Sequence, residues 1–148
     1  MPIAGALAAI LLSQTTTTVE LDPTLKELVD LTNAYRIEQK LGPLKLNAKL
    51  VTIAQSHTVD QANRAELTHK GTDGWMVQKR ADAIKYNWRR IGEVVASGPT
   101  SAADVLKAWV ASEQHKKLLV GKFADLGVGL AKSADGTRYW TMVFGQSK

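Results

Sequence analysis

The hydrophobic pattern of this chain changes period once, and that change limits the fold more than any other feature. Up to about residue 119, outside the extended stretches Leu44–Leu46 and Trp88–Glu93, apolar side chains recur at helical steps of three or four residues. From Leu126 onward they sit in two β-rich runs, Leu126–Ala131 and Arg138–Phe144. Ala134-Asp135-Gly136 joins these runs and reads as a hairpin turn. Helices first and an antiparallel hairpin last predict an α+β fold whose helices cover a sheet.

Asp22-Pro23 opens the first helix, with Asp22 as N-cap and Pro23 where a missing N–H costs nothing. Leu25, Leu28, Val29, Thr32 and Tyr35 form its inward face. Gly42-Pro43 is expected to end it, and Leu44-Lys45-Leu46 reads as a short extended link. Asn47 then caps a second helix with Leu50, Ile53, Ala54, His57 and Gln61 inward, so His57 reads as a core histidine bonded to a neighbour. That helix is predicted to run out near Glu66–His69, before turns at Gly71 and Asp73-Gly74. Trp75, Met76, Lys79, Ala83 and Tyr86 have the spacing of a third helix, and Trp88–Glu93 reads as partly extended. After Gly98-Pro99, Ser101–Asp104 resembles a capping box for a fourth helix burying Ala102, Val105, Leu106 and Trp109. Its end is expected at Ser112–His115, with Leu118 and Leu119 in one further short turn.

At 148 residues the chain makes one domain. It has no cysteine, which excludes a disulfide scaffold, a thiolate metal site and a cysteine nucleophile. Residues 3–12 are an apolar run too short to span a bilayer, which needs about 20 residues, and suited to a secretory signal. The division expected is therefore a signal segment and threonine linker over 1–18 and the folded domain over 19–148, secreted or held at the cell surface as a monomer. Net charge is +5, and Lys79, Arg80, Lys85, Arg89 and Arg90 interleave with Tyr86 and Trp88. This run fits either an anionic surface as partner or a solvated face whose arginines pair with local carboxylates. No motif for specific nucleic-acid recognition accompanies it.

Tyr86-Asn87-Trp88-Arg89-Arg90-Ile91-Gly92-Glu93 concentrates chemistry in eight residues, and Gly92 is expected to permit a turn. His69 lies 24 residues before Glu93 and His115 lies 22 after it, and the three side chains are expected to share one cleft. Two neutral imidazoles, His69 and His115, make a candidate divalent-metal site, with Zn²⁺ the first guess. Glu93 or Glu113 would add a ligand, or Glu93 would accept the other ring N–H of a histidine and fix its tautomer. Without metal, the same residues form a hydrogen-bonded cluster that holds the cleft together. No organic cofactor is expected. Two classes of function follow. One is a binding module for a small apolar ligand, a glycan or a protein, with Trp75 and Trp88 lining an apolar groove. The other is a metal-dependent peptide or ester hydrolase, with Glu93 as base. A serine-hydrolase variant would use Ser112 with His115, but no Gly-x-Ser-x-Gly elbow surrounds Ser112.

Several motifs in order resemble the CAP superfamily of cysteine-rich secretory, antigen 5 and pathogenesis-related 1 proteins, also called SCP domains. They are Asn33-Ala34-Tyr35-Arg36, Leu41–Asn47, Ala54-x-x-His57, Thr68-His69-x-Gly71 and Tyr86–Glu93. Trp109-x-x-Ser112-x-x-His115, Phe123-x-x-Leu126-Gly127-Val128-Gly129 and Tyr139–Gly145 complete the set, which covers about residues 25–146. The cysteine-free form is similar to the bacterial branch. The resemblance implies a three-layer α-β-α sandwich with a central, mainly antiparallel sheet, usually secreted, and a cleft with two histidines and acidic partners. By position these are His69, His115 and Glu93, and in some members the histidines bind a divalent metal. The second acid of eukaryotic members falls on Ser112, with Glu113 adjacent, and Val94 stands where asparagine is usual.

Overall fold

The structure is a computed structural model that describes residues 19–148; the apolar run and the threonines at 3–18 lie outside the described residues. Its elements are α1 (Pro23–Glu38), β1 (Lys45–Leu46), α2 (Ala48–Arg64), α3 (Val77–Ala83), β2 (Trp88–Ser97), α4 (Ala102–Val110), α5 (Glu113–Leu119), β3 (Asp125–Lys132) and β4 (Arg138–Ser147). The four strands lie in the order β1-β3-β4-β2. β4 pairs antiparallel with both β3 and β2, and only β1 runs parallel to its neighbour.

Alternation along β4 sends its side chains to two cores, as a strand covered on both faces requires. Trp140, Met142 and Phe144 join Leu25, Leu28 and Val29 of α1 and Val105, Leu106 and Trp109 of α4. On the other face Val143 meets Leu50, Ile53 and Ala54 of α2 with Val77 and Ala81 of α3. These layers make the α-β-α sandwich. α2 lies against β3 without side chains between them: a Cβ at Gly127 would come within 2.2 Å of the Leu50 backbone, and one at Gly129 within 2.7 Å of the Ala54 carbonyl.

Asp22 and Asn47 cap α1 and α2 as expected, and Ser101 accepts from the Asp104 amide at the start of α4. Arg36, buried at the end of α1, donates to the carbonyls of Gly42 (2.9 Å), Leu119 (2.8 Å) and Gly121 (3.0 Å). Its charge therefore sits against the C-terminal carbonyls of α5, where cations are favoured.

The structure departs from the sequence reading at several boundaries. α1 stops at Glu38, before Gly42-Pro43, and Lys40 takes the left-handed conformation at φ 63°. Lys45–Leu46 is a strand rather than a link. α2 ends at Arg64, with Ala65 left-handed at φ 50°. α3 is shorter than the Trp75–Tyr86 spacing suggests and buries Val77, Arg80 and Ala81, while Met76 and Lys79 are exposed. α4 ends at Val110, and His115 lies inside a separate helix rather than past a helix end. Gly92 makes no turn: it is mid-strand in β2, and a Cβ there would come within 2.6 Å of Leu118 Cδ2. Its lack of a side chain leaves room for Leu118 of α5 against the strand.

Candidate functional site

The loop that carries His69 is held by two side chains from the buried face of α2. Gln61 Oε1 accepts the Thr68 amide at 3.2 Å, and Gln61 Nε2 donates to Thr141 Oγ1 at 3.0 Å. His57 Nε2 lies 2.7 Å from the Thr68 carbonyl. A carbonyl only accepts, so His57 carries its proton on Nε2. His57 is thus the buried, hydrogen-bonded histidine its place on the helix predicts, but its bond fixes the loop one residue before His69.

His69 Nδ1 lies 2.9 Å from Glu93 Oε1, with the imidazole 45% exposed and the carboxylate 2% exposed. Because the carboxylate accepts, His69 is protonated on Nδ1 and turns Nε2 away from Glu93. The other oxygen, Glu93 Oε2, accepts from Arg80 Nη2 at 2.5 Å. Arg80 also donates from Nη1 to the carbonyls of Trp75 (2.7 Å) and His69 (3.2 Å). Glu93 Oε1 is 3.8 Å from His57 Nε2 as well. One buried carboxylate therefore gathers two histidines and an arginine, in a setting where an unpaired charge is costly. Burial and the Arg80 charge hold the His57 pKa below its ordinary value, although Glu93 pulls it up.

His115 approaches from the other side of β2, on α5, whose Leu118 is seated at Gly92. Burial lowers its pKa first, and the electrostatic influence of His69 lowers it further. His115 Nδ1 is buried with no hydrogen-bond partner. Sequence reading expects His69, Glu93 and His115 in one cleft; the structure bonds His69 to Glu93, and among the described residues His115 makes no hydrogen bond to either. Ser112 is half-buried at the N-cap of α5 with no side-chain capping bond, and Glu113 is exposed in its first turn. Neither hydrogen-bonds to the histidines or to Glu93.

Arg80 is the participant that sequence reading misses. It sits in a basic run that looks solvated, yet Val77, Ala81 and Ile84 form an apolar stripe that carries Arg80 inward with it. The rest of that run divides. Lys79 lies 5.1 Å from the centroid of the Trp75 ring, while Arg89 and Arg90 are exposed. Trp75 and Trp88 do not line one groove. Trp75 borders a hollow of about 270 Å³ with Ile53 and Ile84, and Trp88 borders another of about 520 Å³ with Arg89 and Lys148.

The metal reading meets a mixed ligand set. His69, its tautomer fixed by Glu93, presents an imidazole nitrogen as a ligand would. His115 lacks the outer acceptor that metal-bound histidines usually have. Among the described residues no three His, Cys, Asp or Glu side chains are arranged to hold a metal ion. These residues do not make a closed metal site.

The chain matches the family described as "Cysteine-rich secretory protein family" (CAP) over residues 29–144. It is 30% identical over 120 residues to the uncharacterized protein YkwD of Bacillus subtilis, a match covering 80% of this chain and 46% of that protein. The chain thus spans less than half the length of that relative. In structure it is similar to an outer surface protein of Borrelia burgdorferi, with TM-score 0.80 and 21% identity over 89% of this chain and 98% of that one. An extracellular SCP-domain protein of Bacillus anthracis gives TM-score 0.73 at 24% identity, over 87% and 45% of the two chains. NaASP2, solved with Zn²⁺, gives TM-score 0.58 at 11% identity over 86% and 82%. At these identities the likeness to solved structures is one of fold. Among the described residues no helix is long and apolar enough to cross a membrane.

Proposed function

Because the chain belongs to the cysteine-rich secretory protein (CAP) family, we propose that it is a secreted or cell-surface binding module whose cleft is formed by His69, Glu93 and His115. One observation carries this reading over hydrolysis: both oxygens of Glu93 are already engaged, by His69 and by Arg80. That carboxylate is also only 2% exposed, so it fixes side chains and has little access to an attacking water. Ser112 has no hydrogen bond to His115, which leaves the serine-hydrolase variant without a base in contact.

The cleft takes a divalent ion weakly, through His69 and His115, with Glu93 orienting His69. Such an ion would supply Lewis acidity or a bridge to a ligand's oxygen atoms. Support comes from the neutral state that burial favours at His115 and from a fold neighbour solved with Zn²⁺. The module's ligand is a small apolar molecule, a glycan or a protein.

The test is a calorimetric titration of Zn²⁺ into the wild type and into His69→Ala and His115→Ala, followed by peptide and ester panels on the loaded protein. Heat lost in both variants, with no turnover, is the expected result. Turnover that Glu93→Gln abolishes while the fold persists would establish the hydrolase instead.

A further inference from the structure

β2 is an edge strand, hydrogen-bonded on one side only, to β4. Which of its backbone groups face outward follows from one contact: Trp109 Nε1 donates to the Val95 carbonyl at 3.1 Å from outside the sheet. Outward-facing residues alternate along an antiparallel strand, so Glu93 and Ile91 share the orientation of Val95. Among the described residues, no hydrogen bond reaches the backbone N–H or C=O of Ile91 or Glu93 from outside the sheet. A register shift at Trp88/Arg90 makes Arg89 the extra residue of a bulge, just upstream of these groups; exposure falls along the strand, from exposed Arg89 and Arg90 through half-buried Ile91 to buried Gly92 and Glu93.

The same stretch borders the cleft. Glu93 binds His69 on one face, while Gly92 receives α5, which carries His115, on the other. At the opposite end Arg89 and Arg90 are exposed, and among the described residues neither is in an ion pair. Arg89 also borders the 520 Å³ hollow with Trp88 and Lys148.

We propose that the outer edge of β2, from Arg89 to Glu93, docks an extended acidic peptide that adds to the sheet as a fifth strand and leads into the cleft. Main-chain bonds to Ile91 and Glu93 would supply affinity, as in other strand-addition complexes. The acidic character follows from Arg89, Arg90 and Lys148. The inference goes beyond the binding-module reading by naming the partner's chemistry. It rests on the strand edge and not on the imidazoles, so it stands even where no metal binds.

The probe is a capped octapeptide of alternating threonine and glutamate, with two controls: the same peptide N-methylated along its backbone, and a version with lysine for glutamate. Fluorescence anisotropy should show binding of the first peptide only, weakened by salt. Arg89→Glu with Arg90→Glu should weaken it about tenfold, since exposed charges steer and orient such contacts. Circular dichroism checks the fold of this variant, whose replaced side chains are both exposed. Amide exchange by NMR should slow at Ile91 and Glu93 on binding and stay unchanged at Gly92 and Val94, which already bond to β4. No binding of the acidic peptide overturns the proposal. So does binding that ignores N-methylation or leaves the Ile91 and Glu93 amides unprotected. Anionic phospholipid vesicles bound through Arg89 and Arg90 without that protection would show a surface site instead, and a β2-to-β2 dimer in sedimentation would put a second copy on the edge.

Discussion

The two histidines of the proposed cleft sit in surroundings built in opposite ways. Around His69 most polar groups are answered: Glu93 takes its N–H, Arg80 donates to the far carboxylate oxygen, and His57 and Gln61 hold the loop behind it, with Arg80 Nε buried and unpartnered. Around His115 nothing is answered, and its Nδ1 is buried without a partner. The first setting rests on α2, whose backbone lies directly against β3. The second rests on a seven-residue helix whose N-cap side chain makes no capping bond. The contrast separates stability from recognition: one setting fixes geometry, and the other leaves an imidazole with unused hydrogen-bonding capacity.

The largest expected effect tests whether the first setting is a single unit. Arg80→Met leaves the Glu93 carboxylate buried and unpaired, which should cost about 3–5 kcal/mol in urea unfolding. Arg80→Met combined with Glu93→Leu should recover most of that loss, because an apolar pair replaces a broken ionic one. A single-variant loss no greater than that of an exposed arginine would show that the setting is not built around Glu93.

Metal affinity gives the next effect. If Glu93 acts on the ion only by orienting His69, Glu93→Gln should weaken Zn²⁺ binding by about 10–100-fold. Glu113→Gln and Ser112→Ala should leave the calorimetric trace unchanged. An equal loss in Glu113→Gln would move the acid of the site onto α5 and reverse the comparison.

A pH series sharpens it further. The folded pKa values of His57 and His115 are both depressed, so the unfolded chain takes up protons first, from about pH 6.5 downward. Their contribution to stability is complete above that pH and is lost as pH falls towards the folded values. Urea midpoints between about pH 8 and pH 5 should trace the decline. His115→Ala should remove only its share, leaving the slope that His57 supplies. A variant as steep as the wild type would mean that His115 titrates normally in the fold.

The smallest effect is His115→Ala on stability itself at neutral pH. Removing a buried nitrogen that has no partner relieves a cost while losing some packing, so the change should stay within about 0.5 kcal/mol. A loss of several kcal/mol would reveal a partner for Nδ1 and make the two settings alike.

Much of this is legible in the sequence, for physical reasons that differ from place to place. The hairpin shows through Asp135-Gly136, and α1, α2 and α4 show through caps and apolar stripes with few competing signals. His69 and Glu93 stand out because each is a polar side chain beside or near a glycine at the edge of that pattern, whereas the helix end expected at His115 is the middle of α5. Arg80 stays hidden because a guanidinium in a basic run looks solvated; only Val77, Ala81 and Ile84 around it indicate an inward face. β1 is two residues long, too short for a period, and exists because β3 offers it a partner. Gly92 suggests conformational freedom to a reader of the sequence, whereas the fold uses its lack of volume.

That missing volume matters for how the cleft responds to an occupant. At Gly127 the opposing atoms are backbone, and nothing there can move aside; at Gly92 the opposing atom is the tip of Leu118, which can turn. Arg36 grips the far end of α5 through Leu119 and Gly121. The α2 side of the sheet is therefore held backbone against backbone, whereas the near end of α5 meets β2 through a side chain that can turn, its far end being fixed by Arg36.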